Sequence, residues 1–169
     1  MRFLPDPCAK LNVRCYVSGR SHMRYFEDYI EGETETADAV YYVTAEEIME
    51  VGRRWDPQPF HIDPEAAKAS FYGGLVASSA HLFVIHCWFG QHYKEHPAAV
   101  SALGFNDIKL YAPVRPGDII SQKATWVSTR PSESRPDCGI IEAMSELYNQ
   151  NGEKVFSVGT AILMQRLMV

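Results

Sequence analysis

The chain has 169 residues with a formal net charge of −5, 46% hydrophobic and 22% charged residues. That suits one globular domain with a sizeable core, and it is a poor composition for binding nucleic acid or anionic membranes. No apolar run reaches the roughly 18 residues needed to span a bilayer as a helix.

Residues 1–22 hold early prolines and no apolar h-region, so they do not read as a secretory signal. They contain arginines and few acids, as transit peptides do, but lack amphipathic periodicity. The expectation is an N-terminal extension outside the fold, with the domain occupying residues 23–169. The four cysteines, Cys8, Cys15, Cys87 and Cys138, form no CxxC pair and read as reduced core thiols of a cytoplasmic protein.

A β-rich run closes the segment 34–43. Thr44 followed by Glu47 is a capping-box pattern that predicts a helix over about 45–54, with Ile48 and Val51 facing inward. Pro57 disfavours helical geometry at Asp56 and ends it. Asp63-Pro64 reads as a second helix start, for the short run 64–70, which Gly73-Gly74 breaks. Residues 75–93 open with small side chains and continue with large apolar ones, which predicts a long buried helix.

The second half reads as strands at about 100–111, 118–130, 138–149 and 154–167. The turn signals between them are PVRPGD, the polar loop RPSESRPD and Asn151-Gly152. A long buried helix followed by a four-stranded antiparallel meander predicts an α+β domain with a sheet wrapped on the helix. One such sheet covers only one face of the helix, so a homodimer or higher homo-oligomer is expected.

The segment WDPQPFHID sets Asp56 and His61 five positions apart. Fully extended, those steps span about 15 Å, too far for one water to touch both side chains. The two cooperate only if the chain turns near Phe60–His61. On spacing alone two readings stand: a catalytic pair, or an Asp56 that caps a turn beside a satisfied, half-buried His61. His81, His86, His92 and His96 show no metal-ligand spacing, so no metal site is expected. Ser78 and Ser79 lack a nucleophile elbow, and no glycine-rich phosphate loop is present.

The ordered segments T-A-E-E-I, D-P-Q-P-F-H-I-D, P-E-A-A, F-Y-G-G-L-V-A-S and G-F-N-D-I-K-L-Y-A-P-V-R-P-G-D resemble the MaoC-like dehydratases, the (R)-specific enoyl-CoA hydratases, over residues 25–167. The resemblance implies a single hot-dog domain, a curved antiparallel sheet wrapped around a long central helix, working as a dimer. It implies hydration of an enoyl thioester, or the reverse dehydration, with Asp56 and His61 as the catalytic pair. It implies no metal or redox cofactor, coenzyme A entering only as part of an acyl-CoA substrate; an acyl-carrier thioester is the alternative donor.

Backbone N–H groups at the start of the 75–93 helix suit the developing enolate, which places Gly74, Ser78 and Ser79 against the substrate. Phe60, Tyr72 and Trp88 are candidates to shape the acyl pocket. Two departures stand out. Gln58 replaces the common Asn, and Ser78-Ser79 replaces a common His-Gly. Two rival activities follow from the same fold: an acyl-CoA thioesterase, and a module that binds acyl thioesters without turning them over.

Overall fold

The computed structural model describes residues 23–167. The expected extension over residues 1–22 lies outside the described residues, as do residues 168 and 169. The chain runs through β1 (Met23–Arg24), a 3-10 turn (Phe26–Asp28), β2 (Thr34–Thr36) and β3 (Tyr41–Tyr42). Helices α1 (Ala45–Trp55), α2 (Pro59–Ile62), α3 (Pro64–Lys68) and α4 (Ser79–Phe89) follow. Then come β4 (His96–Pro97), β5 (Ala99–Leu110), β6 (Ile119–Pro131), β7 (Cys138–Tyr148) and β8 (Lys154–Gln165).

The four long strands fall where the turn signals placed them. Gly117 and Gly152 take positive φ, 90° and 74°, in the turns before β6 and β8. Their pairing differs from a simple meander. The sheet order is β2-β6-β7-β8-β5, with β3 also pairing β6. Only β6, β7 and β8 follow one another; β5 crosses over to lie antiparallel beside β8. Turn chemistry reports where a chain reverses, and it does not report which edge the next strand joins.

This sheet wraps α4, as the hot-dog arrangement requires. Leu82, Ile85 and Phe89 of α4 meet Ile120, Leu147, Val155, Phe156 and Val158 of the sheet in the main core. In β7 buried positions largely alternate, whereas β8 is buried from Val155 to Thr160. A strand with both faces covered shows no alternation.

Helix α4 is shorter than expected. It begins at Ser79, with Ser78 as N-cap, and ends at Phe89. Residues 75–77 are apolar but lie outside the helix: Val76 N–H donates to Phe60 O (3.1 Å) and Ala77 N–H to Val114 O (2.8 Å). An apolar run alone cannot separate a buried helix from a buried extended segment. Cys87, expected in the core, is exposed, while Cys138 is buried.

A polar chain crosses the core from sheet to helix. The Tyr93 hydroxyl donates to Gln122 Oε1 (2.9 Å), and Gln122 Nε2 donates to His86 Nδ1 (2.9 Å). His86 is thus held as a neutral ring, and burial pushes its pKa down from 6.5 to about 4. As pH falls below 6.5 the unfolded chain gains a proton that folded His86 refuses, so stability drops toward pH 4. Melting temperatures measured from pH 7 to pH 4 should fall in the wild type. The slope should be shallower in His86→Leu.

Candidate active site

Helix α1 starts at Thr44, whose side chain accepts from Glu47 N–H (3.2 Å). Only that half of the capping box forms, because the Glu47 carboxylate turns inward to Tyr41 instead. Ile48 faces the core as expected, whereas Val51 is only partly buried. The helix closes when Asp56 N–H donates to Gly52 O (2.9 Å), leaving Asp56 as C-cap in a non-helical conformation.

The prolines then act differently from each other. Pro57 enforces the exit from α1, but Pro59 occupies the first position of the one-turn helix α2. Gln58 supplies its backbone oxygen to His61 N–H (2.8 Å), and its side chain makes no cap bond. This is the turn near Phe60–His61 that cooperation requires. It brings Asp56 Oδ2 to 3.5 Å from His61 Nε2.

The other ring nitrogen is fixed. His61 Nδ1–H donates to the Val76 carbonyl at 2.7 Å. That bond assigns Nε2 to the side facing Asp56, where it can accept or pass a proton. The His61 side chain is 8% exposed and that of Asp56 34%, so the pair has a sealed side and an open side. Phe60 packs edge-on against the His61 ring (4.5 Å between centroids) and lies tilted against Tyr72 (5.1 Å).

Gly52 was not anticipated as part of this site. A β-carbon there would lie 2.8 Å from His61 O and 3.0 Å from His61 Cβ. The missing side chain lets α2 rest directly on α1, which sets the height of His61 over Asp56. A glycine inside a helical pattern signals close approach of some kind, but not by what.

The segment that locks His61 leads into α4. Ser78 is buried (2% exposed) and its Oγ accepts from His81 N–H (3.3 Å). That hydroxyl is spent on the cap. Ser79, at the first helical position, is exposed. The earliest N–H groups of a helix have no acceptor within it and point along its axis.

Gly74 sits under a guanidinium, since a β-carbon on it would be 3.3 Å from Arg115 Nη1. Arg115 also donates to Tyr72 O (2.7 Å), pinning residues 72–74 to the turn before β6. Trp88 stands apart from this group. It stacks on His92 (3.6 Å) and meets Tyr41 edge-on (5.0 Å). The structure therefore gathers Asp56, His61 and Phe60 at one end of α1, with Ser78 and Ser79 following Val76 into α4.

Comparison with known proteins bears on this arrangement. The family model described as the MaoC like domain matches residues 31–142. The chain belongs to the MaoC-like domain family. A MaoC-like dehydratase from Rhodospirillum rubrum superposes with a TM-score of 0.78 at 32% identity, covering 86% of this chain and 99% of its own.

The R-hydratase PhaJ1 of Pseudomonas aeruginosa shares the fold, with a TM-score of 0.66 at 16% identity over 85% of this chain and 86% of its own. Among curated relatives, the uncharacterized protein YdeM of Bacillus subtilis is 25% identical over 126 residues, 73% of this chain and 87% of YdeM. The family is thus that of the MaoC-like dehydratases, and the fold is shared with an R-hydratase. Among the described residues no helix is long and apolar enough to cross a membrane.

Proposed function

We propose that this MaoC-like domain adds water to an enoyl thioester, or removes it from a 3-hydroxyacyl thioester, with Asp56 and His61 as the catalytic pair. The observation that carries this reading is the 3.5 Å approach of Asp56 Oδ2 to His61 Nε2, with His61 Nδ1 tied to Val76 O. A single water can hydrogen-bond to both groups at that spacing.

In the hydration direction the pair takes one proton from the water as its oxygen bonds to C3. The C2=C3 electrons move toward the thioester oxygen, giving an enolate. The proton held by the pair then returns to C2, so one molecule of water is added and nothing else is consumed. The enolate needs donors, and the free N–H groups at Ser79 and Ala80, opening α4, are suited to it. Gly74, Ser78, Ser79 and Phe60 form the surroundings of the acyl thioester in this reading. No metal or redox group enters, and coenzyme A is present only as part of the substrate; an acyl-carrier thioester fits the same chemistry. A cytoplasmic location accompanies it.

The protein acts as a homodimer in this proposal. All twelve residues of β5 are exposed, and β5 ends the sheet. Leu103 (53%), Phe105 (43%), Ile108 (47%) and Leu110 (53%) show apolar surface there, and Val84 of α4 is 51% exposed. A long apolar edge strand left bare in water invites aggregation, and pairing with a second copy removes it. Light scattering should give twice the chain mass for the wild type and the chain mass for Phe105→Glu.

Activity is tested with crotonyl-CoA and longer or branched enoyl-CoAs, following enoyl absorbance and free thiol together. Loss of absorbance without thiol is expected. Thiol release would establish the thioesterase instead, and binding without either change would establish the non-catalytic module.

A further inference from the structure

A second carboxylate–histidine contact lies at the other end of α1. His81, in the first turn of α4, is completely buried, and neither ring nitrogen has a hydrogen-bond partner among the described residues. The Glu47 carboxylate is near it, with Oε1 3.7 Å from His81 Nε2. Glu47 also accepts a hydrogen bond from the Tyr41 hydroxyl of β3. Tyr41 in turn packs edge-on against Trp88 of α4. Strand β3, α1 and α4 therefore meet at one polar point.

An imidazole carries at least one N–H in any state. Burying it without an acceptor costs about 1–3 kcal/mol. A nearby carboxylate offsets that cost whatever the proton count of the ring, because an N–H directed at it meets a negative charge in a low-dielectric setting. Burial pushes the Glu47 carboxyl up, but the His81 ring and the Tyr41 hydroxyl together outweigh it and hold it below its ordinary 4.5. Glu47 is therefore ionised at neutral pH.

The position of this contact gives it a role. Glu47 and Asp56 sit nine residues apart on α1, about 13 Å along the axis of a helix. His81 is too buried to touch a substrate. Its backbone N–H, however, is bonded to the Ser78 cap, so it is built into the α4 start. We propose that Glu47 and His81 are positioning residues whose contact fixes α1, which carries Asp56, against the first turn of α4, whose N–H groups face the thioester. As a statement about catalysis this rests on the hydratase reading above.

The test uses full-length Glu47→Gln, His81→Gln and the double variant. Glu47→Gln keeps an acceptor for Tyr41 and removes only the charge. Each single variant is expected to lower kcat on crotonyl-CoA about tenfold with KM changed by less than about twofold, because substrate binding survives while alignment is lost. The double variant should be no worse than the worse single one. Unchanged kcat in both folded singles, losses seen only in KM, or additive losses would overturn the proposal.

If the wild type turns over no enoyl thioester, the hydratase reading fails separately, and melting temperatures then judge the contact. Non-additive destabilisation in the double variant supports it. So does a gap between wild type and Glu47→Gln that closes as pH falls below 4.5. Additive destabilisation, or a gap indifferent to pH, overturns it.

Discussion

Asp56→Asn and His61→Ala are each expected to lower kcat for enoyl thioester hydration by at least about 100-fold. Asparagine keeps the shape of Asp56 but cannot take the proton of the attacking water, and it leaves Nε2 of His61 without its charged neighbour at 3.5 Å. Alanine at His61 removes the second proton carrier altogether. The two differ in their structural cost. Asp56 is a third exposed and its side chain is not needed to close α1, because the backbone N–H does that. His61→Ala leaves the Val76 carbonyl without its donor and opens a small cavity, a destabilisation of roughly 1–3 kcal/mol. Asp56→Asn is therefore the cleaner variant: its melting temperature should match the wild type while its turnover collapses. Initial rates and thermal melts on the same samples check both parts. Activity within a few-fold of wild type in either variant would remove that residue from the chemistry.

Gly52→Val is expected to damage the site without altering any group that meets substrate. A β-carbon at 52 already falls 2.8 Å from His61 O and 3.0 Å from Ile62 Cγ2, and valine adds two more carbons. Backbone cannot swing aside as a flexible side chain would, so α2 must move off α1 and carry His61 with it. Overpacking of this kind costs about 1–3 kcal/mol. A shift of about 1 Å in a reacting group can cost about 100-fold in rate. The expected result is a fall of about 10- to 100-fold in kcat/KM together with a lower melting temperature. Retention of full activity by a folded Gly52→Val protein would show that the α1–α2 contact does not set the height of His61.

The residues differ in how openly they declared these roles. Turn-forming Gly117 and Gly152 announce the long strands because their backbone geometry is local. Thr44 announces α1 for the same reason. The crossover of β5 is a long-range pairing choice with no local mark, so the turn signals alone point to a meander. The start of α4 has no clear mark in the sequence, because apolar residues 75–77 serve an extended segment as well as they serve a helix.

The pairing of Asp56 with His61 was visible as a spacing but undecided as geometry. Two prolines suggested extension, and Pro59 instead began a helical turn. Glu47 read as a capping-box partner and His81 as one of several scattered histidines. They lie 34 positions apart in the chain, on different helices, so no periodicity could join them. Gly52 carries no local sign that it meets His61, because that contact joins two separate helices.

Isotope incorporation shows whether Asp56 and His61 pass one water across an enoyl thioester. The wild-type protein is incubated with crotonyl-CoA in heavy-oxygen water and, separately, in deuterium oxide, and the products are examined by mass spectrometry and NMR. The expected product is an intact 3-hydroxyacyl thioester with one heavy oxygen at C3 and one deuterium at C2, neither appearing with Asp56→Asn. Heavy oxygen in a free carboxylate, or no label in any product, would contradict the hydratase reading.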